Sequence, residues 1–64
     1  MTTNELPAAV IAADLADARY RCACARARFE KAKSKKDRQF AAEDIAFYGD
    51  KAAYLSAWLA KRAA

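Results

Sequence analysis

The side chains in this chain that could do chemistry are two cysteines, a block of cations and a row of aromatics; histidine is absent. Without histidine, the commonest general base near neutral pH is missing. Glu43 and Asp44 are adjacent in sequence, so on a helix their carboxylates diverge, and no glycine-rich phosphate loop occurs. Cys22 and Cys24 stand about 200° apart around a helical axis, so they cannot bridge each other. Two thiols with no histidine do not complete a metal site. They read as small packing residues of a reducing cytoplasm. This inventory points away from an enzyme and from any cofactor, and toward binding.

Two constellations could bind a partner. Between Arg19 and Arg38 lie nine Lys or Arg against Glu30 and Asp37, whereas the rest of the chain holds three cations and six anions. The net charge of +4 is therefore one local basic field, which suits a nucleic acid or an acidic protein surface. On a helix, Arg19, Arg26 and Lys33 form one row, and Arg21, Arg28 and Lys35 form another. Such rows suffice for phosphate contact. They also describe a solvated face whose long stems cover apolar surface. Base stacking would need exposed aromatics nearby, and only Tyr20 and Phe29 qualify. No RNP motif, zinc finger or glycine-containing helix-turn-helix turn is present.

The second constellation is Phe40, Phe47 and Tyr54 at heptad spacing, with Trp58 one turn on and Asp44, Lys51 and Lys61 among them. It reads either as the core of a dimer or as a protein-binding surface, since aromatics ringed by charges resemble interface hot spots. Both hold if the phenylalanines sit inside a dimer and Tyr54 and Trp58 at its rim. On the protein-binding reading Phe47, Tyr54 and Trp58 are anchors, and Lys51, Arg26 and Arg28 are rim charges that steer encounter.

The elements that carry these groups are legible from apolar periodicity. Ile11, Leu15, Ala18, Cys22, Ala25, Phe29 and Ala32 alternate steps of four and three residues, a heptad seam. The arginine and lysine rows flank it at the e and g positions. The first helix is expected over about residues 6–33, with Thr3 or Asn4 as its cap and Pro7 in its first turn. Residues 34–37 are expected to turn, because like charges crowd there and Ser34 followed by Asp37 resembles a capping box; the competing reading, with no glycine or proline here, is one helix running on to Tyr48. The second helix follows over about residues 37–62. Its seam is Ala41, Ile45, Tyr48, Ala52, Leu55 and Leu59. Beside it runs a small-residue stripe of Ala42, Ala46, Gly49, Ala53, Ser56, Ala60 and Ala63. Gly49 offers a break, with Asp50 as the cap of a third helix; because the seam keeps phase across Gly49, a continuous helix is the preferred expectation.

The expected fold is all-α, an antiparallel two-helix hairpin forming one domain. Helix packing falls to Ile11, Leu15, Ala18, Cys22, Ala25 and Phe29 on the first helix, and to Phe40, Ile45, Tyr48, Leu55 and Leu59 on the second. The small stripe is expected to let the two helices approach closely. The second helix then has more apolar surface than one neighbour covers, so a homodimer, a four-helix bundle, is expected. No run approaches the ~20 apolar residues of a membrane span, and the N-terminus lacks the pattern of a signal peptide. The expected location is cytoplasmic.

In size and inferred architecture the chain resembles the plasmid copy-number regulators that bind paired RNA loops as dimers of helical hairpins. That likeness is one of topology, and it implies nucleic-acid binding through the basic face of the first helix. The alanine- and arginine-rich hairpin, with the tail Ala52-Ala53-Tyr54-Leu55-Ser56-Ala57-Trp58-Leu59, is also similar to the small early proteins by which bacteriophages disable host proteins, the anti-quorum-sensing family among them. This second resemblance implies a non-catalytic helical homodimer inside a host bacterium. It would bind the DNA-binding part of a quorum-sensing transcription regulator and block a pilus-assembly ATPase. It carries no residue roles with it.

Overall fold

The computed structural model describes residues 6–63, which form two helices, α1 (Ala8–Lys31) and α2 (Lys35–Ala63), packed against each other. The expected caps Thr3 and Asn4 lie outside the described residues. Helix α1 starts two residues later than expected, because Pro7 stands at its cap position rather than in its first turn. The Pro7 backbone is extended (φ −58°, ψ 147°), and no side chain caps this end. Its carbonyl accepts from the N–H groups of Val10 (3.0 Å) and Ile11 (3.2 Å). Proline suits this end because it has no N–H to leave unsatisfied.

The turn comes earlier than residues 34–37. Helix α1 ends at Lys31, Ala32 is extended (φ −65°, ψ 129°), and its N–H donates to the Phe29 carbonyl at 3.3 Å. Ser34 is the residue that starts α2. Its Oγ accepts from the Asp37 N–H at 3.1 Å, and its carbonyl accepts from the Arg38 N–H at 3.1 Å. A hydroxyl in this position satisfies a donor that the first turn would otherwise leave free. An extended residue feeding a capped helix needs no left-handed backbone, and none of the described residues has a positive φ. The turn therefore forms without glycine. Asp37 in the first turn of α2, and the pairs Arg28/Lys31 and Lys61/Arg62 in the two last turns, oppose the helix dipoles favourably.

The two seams face each other. Ile11, Leu15, Ala18, Cys22 and Ala25 of α1 are buried with Ala41 and Leu55 of α2, while Ile45, Tyr48, Ala52 and Leu59 are half-buried. The larger side chains gather at the open end of the hairpin, where Ile11, Leu15 and Leu55 form the core and Leu6, Ala52 and Leu59 pack on it. At the turn end, Ala25 and Ala41 fill the contact. Phe29 and Phe40, expected among the packing residues, are 40% and 53% exposed in the single chain. Replacing Ala25, fully buried, by leucine should overpack the seam and lower unfolding free energy by ~1–3 kcal/mol. The same change at exposed Ala27 should alter it little. Urea denaturation of the two variants checks the register.

The small stripe of α2 does not enter this contact: Ala42, Ala46, Ala53, Ser56 and Ala60 are all exposed. Close approach comes instead from alanines within the seams. Helix α2 runs unbroken through Gly49, and a Cβ placed there meets nothing within 4 Å. Gly49→Ala should therefore raise stability by about 1 kcal/mol through helix propensity alone, read as a higher melting temperature. Among the described residues no helix is long and apolar enough to cross a membrane.

Candidate functional site

A helix advances about 100° per residue, so Phe40, Phe47 and Tyr54 fall along one flank of α2, beside the seam. Phe47 is 62% exposed, and Phe40 and Tyr54 are each 53% exposed. Trp58, one turn past Tyr54, is half-buried. Phe47 meets Tyr48 edge-to-face with ring centres 5.0 Å apart, and Tyr54 meets Trp58 likewise at 6.3 Å. Such pairs contribute ~0.5–1.5 kcal/mol beyond area burial. Cations lie against three of the rings: Lys36 at Phe40, Lys61 at Trp58 and Arg21 at Tyr48, between 5.7 and 5.9 Å from the ring centres. The rings are thus restrained by their neighbours while much of their surface stays open. Lys51 is exposed between Phe47 and Tyr54 on the same flank.

The Arg21 and Arg28 side of α1 borders this aromatic flank. Arg28 donates across the helices to Asp44 at 2.6 Å, and Arg21 donates to Asp17 one turn away at 2.9 Å. Three shallow grooves mark the face that results. One lies at the turn end between Ala27, Arg28 and Lys31 of α1 and Phe40 and Ala41 of α2. A polar one follows, lined by Tyr20, Arg21, Cys24, Asp44 and Tyr48. The third is a notch of Tyr54, Ala57, Trp58 and Lys61. In the polar groove the hydrogen bond with Cys24 pushes the Tyr20 hydroxyl above the usual tyrosine range. The bond to Asp17, followed by Tyr48, holds Arg21 above its ordinary value.

Arg26 does not join this face. It lies two residues from Arg28, hence on the far flank of α1. The two basic rows are also shorter than expected. Lys33 lies in the turn and Lys35 is the first residue of α2, so neither continues its row along α1. Of the remaining pairs, Arg21 and Arg28 are held by carboxylates. Arg19 and Arg26 are exposed and make no ion pair among the described residues. Asp17 is the site residue that sequence reasoning passed over, and Asp44, placed among the aromatics, was not paired with Arg28. The four-residue spacing of Asp17 and Arg21 on a helix was the available signal. Cys22 is buried against the Ile45 carbonyl at 3.8 Å, while Cys24 is exposed. No group of three or more potential metal ligands occurs among the described residues.

Comparison with protein-family models, with curated proteins and with solved structures finds no match.

Proposed function

We propose that this chain is a non-catalytic inhibitor that binds a host protein through its aromatic face and works as a homodimer, a four-helix bundle of two hairpins. The observation that supports it is the aromatic flank of α2. Half-exposed rings, restrained by edge contacts and cations, line one side of a hairpin whose own core does not use them. Restrained aromatics lose little side-chain freedom on binding, which is what makes such residues effective anchors. Phe47, Tyr54 and Trp58 are the anchors, and Arg28 and Lys51 the charges beside them. Occupying a partner's working surface then inhibits it without chemistry. The resemblance to phage-encoded inhibitors makes a quorum-sensing regulator's DNA-binding domain and a pilus-assembly ATPase the first two purified targets to try, with the bacterial cytoplasm as the setting.

Affinity capture on the immobilised chain from a bacterial lysate, repeated with Tyr54→Ala, is the direct test. A protein retained by the wild type and lost from the variant is expected. Equal retention, or none by either, rejects the aromatic face.

The unpaired Arg19 and Arg26 favour a second reading, a nucleic-acid binder. That reading requires an affinity for duplex DNA or structured RNA that falls by about 0.9 log units per log unit of salt for each phosphate neutralised on a duplex. Because the rows are short and the aromatic flank of α2 lies on the opposite face, only weak binding with a shallow slope is expected. Tight, salt-sensitive binding in a filter or anisotropy assay would replace the inhibitor reading.

A further inference from the structure

The hairpin has a second broad face, on the flank of the seams away from the aromatics. Between its charged residues the side chains are small: Ala12, Ala23, Ala42, Ala46 and Ala53 are exposed on it, and Gly49 has open space above its Cα. Among the charges on this face, Arg19 and Arg26 on α1 and Glu43 and Asp50 on α2 have no partners among the described residues; Glu30, Lys35 and Arg38 stand on it nearer the turn. The arginines are one heptad apart, and so are the acids. Within one chain they cannot meet, since the arginines flank the α1 seam while Glu43 and Asp50 lie on the side of α2 opposite its seam.

We infer that a second copy of this chain stacks on this alanine face, each α1 lying antiparallel over the other copy's α2, so that Arg19 meets Asp50 and Arg26 meets Glu43 across the two-fold axis. Three observations carry the choice of occupant. The first is charge register. The residue numbers of each pair add to the same total, which is what lets two pairs form at once between antiparallel helices. Arg21 over Tyr48 shows the same register inside the chain. The second is complementarity by exhaustion: the arginines bordering the aromatic face already have Asp17 and Asp44. A copy docked there would leave all four of these charges single. The third is area. The molecule is 44 Å long and 18 Å wide, so one face offers about the ~800 Å² per partner that a stable interface buries. Small residues on both helices let the backbones come close, and the long arginine stems can lie over the alanines while their heads reach the acids at the edge.

This inference rests on the dimeric unit proposed above and deepens it, since it leaves the aromatic face free in the dimer. Sedimentation equilibrium on the full chain and five variants tests it, with circular dichroism confirming helicity. Arg26→Glu and Glu43→Arg should each raise the dimer dissociation constant about tenfold or more, because every reversal occurs twice in a two-fold dimer. Combining them restores the pair with its signs exchanged and should return the constant to within about threefold of wild type. Phe47→Ala and Tyr54→Ala should leave it unchanged. A wild-type dimer that ignores the reversals, lacks rescue, or is dissolved by the aromatic changes overturns the alanine face while leaving the dimer standing. A wild type that stays monomeric at the highest concentration overturns the dimer itself.

Discussion

Ile11→Ala is expected to abolish cooperative folding of the isolated hairpin, or to leave it largely unfolded at room temperature. Ile11 has 0% exposure and is the largest fully buried side chain. It packs with Leu15 and Leu55 in the buried core of the hairpin, against which Leu6, Ala52 and Leu59 lie. Truncating a buried isoleucine costs ~2–5 kcal/mol through lost transfer energy and the cavity left behind. A chain of this size rarely has more than ~3–5 kcal/mol in total. The loss is therefore comparable with the whole. Val10→Ala is the control, because Val10 is adjacent yet 42% exposed, and a much smaller loss is expected there. Urea melts followed by helical ellipticity, at one fixed protein concentration, separate the two. Similar midpoints for both variants would mean that stability does not reside at the open end.

That concentration of bulk is legible in the sequence. The α1 seam carries Ile11 and Leu15 near its start and alanines toward its end, and the α2 seam carries Leu55 and Leu59 near its end. An antiparallel pairing brings those three leucines and the isoleucine together. The turn was less legible because its usual marks, glycine and proline, are missing from residues 31–38. A run of lysines is compatible with helix or loop, and the deciding contact is a single hydroxyl. Ser34 accepts the Asp37 N–H, so α2 starts at Lys35 and not at Asp37 itself. The start of α1 shifted for a related reason: Pro7 serves as the cap residue and delays the first turn to Ala8.

The candidate face was half legible. Heptad spacing placed Phe40, Phe47 and Tyr54 on one flank, and edge contacts then paired Tyr54 with Trp58. Which arginines border that flank is not a matter of spacing along α1, since the e and g rows stand symmetrically about the seam. It follows only when the direction of α2 is added. With the seams facing and the helices antiparallel, the aromatic flank must fall beside Arg21 and Arg28, leaving Arg19 and Arg26 on the other side. Arg26 and Arg28 look interchangeable in sequence but serve opposite faces. The acids explain why the distinction matters. Asp44 reaches Arg28 across the helices and neutralises it on the aromatic side, whereas Arg19 and Arg26 remain available for another molecule.

Trp58→Ala should weaken binding of the captured partner by about thirtyfold, equivalent to ~2 kcal/mol, with the increase mainly in the off-rate. Trp58 is the largest side chain on the aromatic flank, borders a notch with Tyr54, Ala57 and Lys61, and is steadied by both Tyr54 and Lys61. A ring held in place before binding transfers its buried area into affinity with little ordering cost. Its loss also removes the edge that orients Tyr54, so Trp58→Ala and Tyr54→Ala should be less than additive when combined. Trp58→Phe should recover part of the affinity, because an aromatic edge against Tyr54 is restored without the indole N–H. The hairpin should survive these changes, since Trp58 is half-buried and outside the Ile11, Leu15 and Leu55 core. Surface plasmon resonance on the purified pair, with melting curves run in parallel, gives the readout. Unchanged affinity in a folded Trp58→Ala protein would move the binding surface off this end of α2. A loss matched by unfolding would mean that Trp58 serves the fold, and its affinity effect would no longer count for the interface.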